Sequence, residues 1–209
     1  PVKKAMYEQY SEIIDNASSY NFGDDSANDQ RSYMYALVYM DSANPDIPQL
    51  LLKTQINNSG VNHVKIFSFD KDTMKAYKDT KQAYEVQNTK GIMEGVAGVG
   101  GFRGLLTVDS DKNGLIAVSW SSGSGDGFGY RYTLSGPGVI STKEWEGTIT
   151  DLPSDMKGEE ITWSDSRNRT PIAQTFSDVS IYGRKQITVQ GRLRYLTWQE
   201  ILDLQGMQY

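Results

Sequence analysis

The chain has 209 residues, 38% of them hydrophobic and 22% charged, so it is long enough to bury a core without disulfides or metal ions. Its formal net charge is −5, from 26 acidic and 21 basic residues, which argues against nucleic acids and anionic membranes as partners. It contains no cysteine, which excludes disulfides, thiolate metal sites and thiol catalysis.

The hydropathy pattern predicts no transmembrane segment in this chain, because no apolar run approaches the roughly 20 residues of a membrane span. The length favours a single domain over residues 1–209. The sequence begins at Pro1 without a signal peptide, and an export signal or a lipid anchor upstream of it stays open.

The first predicted element is an amphipathic helix within residues 1–20. Its apolar side chains recur at helical spacing and trace one stripe: Met6, Tyr10, Ile13, Ile14 and Ala17. The polar run Asn21–Gln30 predicts a loop after this helix.

Strand periodicity takes over from Tyr33. The segment Tyr33–Met40 is apolar on both faces, which predicts a central strand covered on both sides, with a two-turn helix as the alternative. Turn residues at Asp41–Pro48 and Asn57–Gly60 then separate the predicted strands Gln49–Ile56 and Val61–Phe69.

The second half of the chain is predicted to form further short strands up to about residue 196. Gly91–Gly104 is rich in small residues and predicts a connection, and Leu105–Val108 and Leu115–Trp120 form a hairpin around Asp109–Gly114. The other predicted strands lie at Met74–Tyr77, Tyr130–Leu134, near Val139, and at Trp145–Ile149, Ile161–Trp163, Val179–Tyr182, Ile187–Val189 and Leu193–Leu196. A capping-box pattern at Thr197 and Glu200 predicts a short terminal helix over residues 198–204.

The predicted fold class is therefore α+β and mainly β. Residues 33–196 form antiparallel hairpins arranged as a sheet, a barrel or a propeller-like meander, between the N-terminal and C-terminal helices.

One turn carries a candidate metal site. Asp109, Asp111 and Asn113, followed by Gly114, match the start of a calcium-binding loop, in which alternate oxygen ligands surround a hard cation. The twelfth position of that loop holds Trp120 instead of the bidentate acid, and Asn113-Gly114 is also a common hairpin turn. We therefore expect a plain hairpin and no cofactor, with calcium as the alternative.

The candidate binding residues are Trp120, Asp126 and Trp145, because indole rings on a sheet stack against sugar rings. The neighbouring Glu144 and Glu146 would lie on one strand face roughly 7 Å apart, a spacing compatible with an inverting glycosidase. The competing interpretation is an ordinary half-buried strand in which the aromatic rings are core residues.

The sequence contains no pattern typical of a catalytic nucleophile or of a phosphate-binding loop. His63 is the only histidine, and Ser124 lacks the glycines of a nucleophile elbow. The glycine-rich stretches at residues 95–101 and 123–129 match no phosphate-binding loop. No catalytic residue is predicted.

Two stretches resemble a family. Tyr35–Leu52 is similar to the pattern Y-A-L-x-D-x-D-G-D-G-x-P-E-L-I of uncharacterised extracytoplasmic lipoproteins of Gram-positive bacteria. Gly98–Gly147 resembles their G-G-x-R, N-G-L, S-S-G-x-G and W-E-G pieces. The resemblance implies an exported, lipid-anchored or wall-associated protein of unknown activity. In the first stretch the alternating acids are missing, since Ala43, Pro45 and Ile47 stand at their positions.

The sequence leads to three functional hypotheses. The first is a non-catalytic extracytoplasmic surface module that binds a protein or a glycan. The second is a carbohydrate-active enzyme that uses a carboxylate pair, and the third is a structural spacer. A glycan binder should expose two or more Trp or Tyr rings along a groove, whereas a spacer should bury all its Trp rings.

Overall fold

The computed structural model describes residues 2–22, 32–55, 62–71, 82–96, 101–109, 111, 114–166, 186–189 and 192–195. It is mainly β, as the alternation predicted, with a single α-helix, α1, at Val2–Asp15 in this part of the chain. A short 3₁₀ helix at Ala17–Ser19 follows α1. None of the described helices is long and apolar enough to cross a membrane.

Eleven of the described strands form one antiparallel sheet. The thirteen described strands, in chain order, are β1 Ser32–Val38, β2 Gln49–Gln55, β3 Asn62–Asp70, β4 Gln82–Glu85, β5 Met93–Val96, β6 Phe102–Val108, β7 Leu115–Ser121, β8 Asp126–Ser135, β9 Gly138–Thr148, β10 Glu159–Glu160, β11 Ser164–Asp165, β12 Gln186–Val189 and β13 Arg192–Tyr195. Along the sheet their order is β11-β1-β2-β3-β5-β6-β7-β8-β9, while β4 pairs with β3 and β10 with β6. The last two strands pair with each other.

Strand β1 is covered on both faces, as the sequence predicted. Tyr35 and Leu37 enter one buried cluster, and Ala36 and Val38 enter another. The first cluster lies between α1 and the sheet, where Met6, Tyr10, Ile14 and Ala17 pack against apolar residues of β1–β3. The predicted apolar stripe of the helix is thus the face that it buries.

The second cluster joins β1–β3 to β6–β9. Leu51 and Ile66 contribute from the first strands, and Leu106 and Leu115 from the later ones. The two parts of the sheet therefore pack face to face through apolar side chains, as in a sandwich.

A third, smaller cluster covers the opposite face of β7. It contains Ile116, Val118 and Met156, with Trp120 and Trp145 packed against it. Met156 belongs to a 3₁₀ helix at Ser154–Met156 that follows another at Ile149–Asp151.

Several predicted boundaries are wrong. Gly91–Gly104 is not only a connection, because it contains β5 and the start of β6. No strand spans Ile161–Trp163, which instead separates the two-residue strands β10 and β11. Strand β9 continues from Gly138 through the predicted break before Trp145. Strands β5, β6 and β9 extend into these segments because each pairs with a neighbouring strand, in spite of the local composition.

Other predictions lie outside the described residues: the strands Met74–Tyr77 and Val179–Tyr182, and the helix at 198–204.

Two glycines of β8 allow a test of how tightly this sheet is packed. A Cβ at Gly127 would lie 2.3 Å from the backbone oxygen of Ser119, whereas the closest atom to a Cβ at Gly129 would be the terminal methyl carbon of the Met156 side chain, at 2.6 Å. We expect Gly127→Ala to lower the free energy of unfolding by about 3 kcal/mol and Gly129→Ala by about 1 kcal/mol or less. Urea denaturation of the two matched variants measures this, and equal losses would contradict it.

Candidate functional site

The tryptophans predicted to bind ligand lie in the third cluster. Trp120 on β7 and Trp145 on β9 are both half-buried, and they flank the glycines of β8, since Gly127 pairs with Trp120 and Gly129 with Trp145. Trp163 is also half-buried, and Trp198 is outside the described residues. The ring of Trp145 lies 3.4 Å from where a Cβ at Gly147 would stand, and the Cβ of Trp120 lies 2.7 Å from where a Cβ at Gly127 would stand.

The predicted carboxylates do not come together in a desolvated pocket. Asp126 is exposed at the start of β8. Glu144 accepts a hydrogen bond of 2.9 Å from Arg131 Nε, and Glu146 pairs with Lys143. Both glutamates are exposed and bound to cations, an arrangement that differs from the unlike pair of carboxyl groups in a glycosidase.

The predicted calcium turn is held by an ion pair. Asp109 Oδ1 accepts a hydrogen bond of 2.7 Å from the backbone N–H of Asp111, and Asp109 Oδ2 pairs with Arg131. Asn113 lies outside the described residues, and Asp111 lies on the surface. Among the described residues, no group of three or more acidic or histidine side chains is placed to hold a metal ion.

Arg131 links three segments. Besides Glu144 and Asp109, it donates a hydrogen bond of 3.3 Å from Nη2 to the backbone oxygen of Asp155. Burial acts to lower the pKa of Arg131, but its hydrogen bonds to Glu144 and Asp109 outweigh that effect and raise it. The guanidinium therefore fixes the β6–β7 turn and β9 to the 3₁₀ segment.

His63 lies on β3, and Ser124 lies in the turn between β7 and β8. His63 is half-buried on β3, where its backbone N–H donates to Thr54 Oγ1 at 3.0 Å. It borders a cavity of about 480 Å³ that polar and apolar side chains line together. Ser124 Oγ accepts from the backbone N–H of Asp126 at 3.2 Å and so stabilises the β7–β8 turn.

The sheet does contain an open apolar cavity, of about 520 Å³, that sequence reasoning missed. We call it the aromatic cleft. Its lining residues are Gly91, Met93, Gly101, Phe102, Ala117, Ser119, Phe128, Tyr130 and Tyr132. A volume of this size is typical of small-molecule and anchor-residue sites.

The aromatic cleft continues a buried sheet face. Leu115 pairs with Tyr132, Ala117 with Tyr130, and Ser119 with Phe128, so these residues follow one another along neighbouring strands. Leu115 and Tyr132 belong to the second cluster, where β1–β3 cover them. Farther along the same face this cover ends, and Phe128 is 38% exposed.

Large apolar side chains surround the opening. Phe102 is 60% exposed and Met93 is 42% exposed. The rings of Phe128 and Tyr130 meet edge to face, with centroids 5.7 Å apart and planes at 84°. Burial raises the pKa of Tyr132, which keeps its phenol neutral at the inner end of the cleft.

A sequence signal for this cleft exists, although it is faint. Gly104, Ala117 and Ser119 are small residues at inward positions of paired strands, next to aromatic residues at Phe128 and Tyr130. Small side chains beside large ones on one face leave a depression unless another layer fills it. Whether such a layer covers them is a property of the tertiary structure.

A buried polar cluster holds β5 behind the cleft. Lys53 Nζ lies 3.2 Å from Glu94 Oε1 and 4.1 Å from the centre of the Trp163 ring. Trp163 Nε1 donates a hydrogen bond of 2.9 Å to Glu94 Oε2. Burial lowers the pKa of Lys53, although Glu94 opposes this shift. The cluster fixes Glu94, and with it the neighbouring Met93 at the rim.

Comparison with known proteins identifies no relative. No protein-family model matches the chain, and neither does any curated protein or solved structure. The resemblance to extracytoplasmic lipoproteins therefore stays a prediction.

Calcium should leave the protein's thermal stability unchanged, because Arg131 already neutralises Asp109. Thermal melts with calcium and with EDTA measure this. A melting temperature that rises with calcium and returns with EDTA would show that the turn does bind the ion.

Removing the charge of Glu94 should destabilise the fold. Glu94→Gln leaves Lys53 buried without a counter-ion, and we expect a loss of about 3 kcal/mol in the free energy of unfolding. The double variant Lys53→Met with Glu94→Gln should recover most of that loss, as measured in a double-mutant cycle. Equal losses in the single and double variants would show that the pair is not coupled.

The same pair predicts a pH dependence. Because the pKa of Lys53 is lower in the folded state than in the unfolded one, the unfolded state binds more protons between that lowered value and about 10.5. The free energy of unfolding should therefore rise with pH through this window, and the rise should be smaller in Lys53→Met. Parallel denaturation curves at pH 7 and pH 9.5 compare the two proteins.

Proposed function

We propose that this protein is a non-catalytic binding module that recognises a protein partner through the aromatic cleft. The observation that carries the proposal is that Met93, Phe102 and Phe128 lie exposed around one cavity. Exposed apolar side chains gathered at a concave site are typical of interaction surfaces. Aromatic residues and Met are also enriched in the cores of protein interfaces.

The chemistry of the lining favours a protein over a glycan. A sugar ring carries many hydroxyl groups, and each one that is buried needs a hydrogen-bond partner. The cleft offers the hydroxyl groups of Ser119, Tyr130 and Tyr132 as its side-chain polar groups. An apolar side chain of a partner, in contrast, needs no such groups and gains free energy from leaving water.

The ion pairs support a non-catalytic role. Glu144 and Glu146, the strongest candidates for acid–base chemistry, are exposed and paired with Arg131 and Lys143. A glycosidase needs its two carboxyl groups in unlike environments, whereas both of these side chains are exposed and ion-paired.

The resemblance of Tyr35–Leu52 and Gly98–Gly147 to extracytoplasmic lipoproteins suggests where the module acts. We propose an extracytoplasmic location at the cell surface or envelope, with another envelope protein as the partner.

Truncating the exposed rings should weaken peptide binding. Peptides selected from a random displayed library against the whole chain should bind Phe102→Ala and Phe128→Ala at least tenfold more weakly, because these rings form the walls of the cleft. Ile140→Ala is the matched control, since Ile140 is 54% exposed but lies outside the cleft. Titration calorimetry measures the affinities.

Two outcomes would contradict the proposal. One is peptide binding that is unchanged in both phenylalanine variants. The other is binding on a glycan panel that depends on Phe102 and Phe128, which would assign the aromatic cleft to a carbohydrate.

A further inference from the structure

We propose that the group received by the aromatic cleft is an uncharged aromatic side chain of the partner. This inference rests on the proposed function and specifies its ligand chemistry.

The lining excludes a charged anchor. None of the nine lining residues carries a formal charge. On the neighbouring strand β9, Lys143 pairs in register with Tyr130 and Glu146 with Phe128. These two side chains are bound to each other. A cation or anion that enters the cleft would therefore lose its water without gaining a counter-ion.

The rings favour an aromatic group over an aliphatic one. The rings of Phe128 and Tyr130, which both line the cavity, stand at 84° to each other. An incoming ring meets one of them in the offset or edge-to-face geometry that aromatic pairs prefer. The exposed thioether of Met93 at the rim adds a sulfur that also contacts rings favourably.

The floor sets the depth that the ring reaches. Ala117 and Ser119 lie on β7, which is paired with β6 on one side and with β8 on the other. Because their side chains are small, a flat ring reaches the sheet surface between Phe102 and Phe128. At the covered end of the same face, Leu115 occupies the equivalent position and is fully buried by the second cluster. An aromatic side chain bound there would continue the buried face beyond Leu115 and add van der Waals contacts to it.

Blocked amino-acid amides test the chemistry directly. N-acetyl-tryptophanamide and N-acetyl-phenylalaninamide, titrated into the whole chain, should shift the amide resonances of Ala117 and Ser119 in a ¹⁵N NMR spectrum. We expect them to bind at least threefold more tightly than N-acetyl-leucinamide, the advantage that ring–ring contacts provide. N-acetyl-lysinamide and tetramethylammonium should give no saturable shift.

Filling the floor should block binding without removing a ring. Ala117→Leu should weaken N-acetyl-tryptophanamide at least tenfold, and Ser119→Leu is the second variant in case the first unfolds. Thr142→Leu on β9 is the matched control, because it adds a similar side chain at an exposed strand position outside the cleft. Thermal melts confirm that each variant is folded.

The possible failures are distinguishable. If N-acetyl-leucinamide binds as tightly as the aromatic amides, the aromatic preference is wrong, while peptide binding that needs Phe102 still supports the proposed function. If tetramethylammonium binds most tightly, the rings recognise a cation and the inference is wrong. If displayed peptides bind independently of Phe102 and Phe128, the proposed function itself is wrong, whatever the amides do.

Discussion

Burial of β1–β3 on both faces is the constraint on which the rest of the structure depends. Tyr35 and Leu37 need an apolar layer on one side, which α1 supplies, while Ala36 and Val38 need one on the other. The second layer comes from β6–β9, so the later strands must pack back over the first ones. Because hydrophobic burial is the dominant favourable term in folding, this double cover fixes the layer order of the domain.

The aromatic cleft follows from how far that cover extends. The face of β6–β8 that buries Leu106 and Leu115 continues past the end of β1–β3, and there Phe102 and Phe128 remain exposed. Ion pairs then hold the surrounding strands together. Arg131 links the β6–β7 turn to β9, and the pair of Lys53 and Glu94 links β2 to β5. The candidate site is thus an uncovered part of the core face, supported by ion pairs that lie outside it.

The elements predicted from the sequence were correct where a periodic hydrophobic pattern packs against or pairs with a segment close by in the chain. The helix stripe, the doubly apolar β1 and the hairpin around Asp109–Gly114 were all confirmed. It failed at β5, whose short segment becomes a strand only by pairing with β3 and β6. It also missed Phe102, Phe128 and Tyr130, which line one cavity because neighbouring strands bring them together.

The sequence alone determined the mainly antiparallel fold class and the faces of the longer elements, because alternation and helical spacing act between residues close in the chain. It also excluded cysteine chemistry, since the chain contains none. The tertiary structure alone decided which of those faces are covered and which are open, because cover depends on strands far apart in sequence. Phe128 and Tyr132 lie on the same face of β8. The packing of β1–β3 buries Tyr132 but leaves Phe128 at the surface.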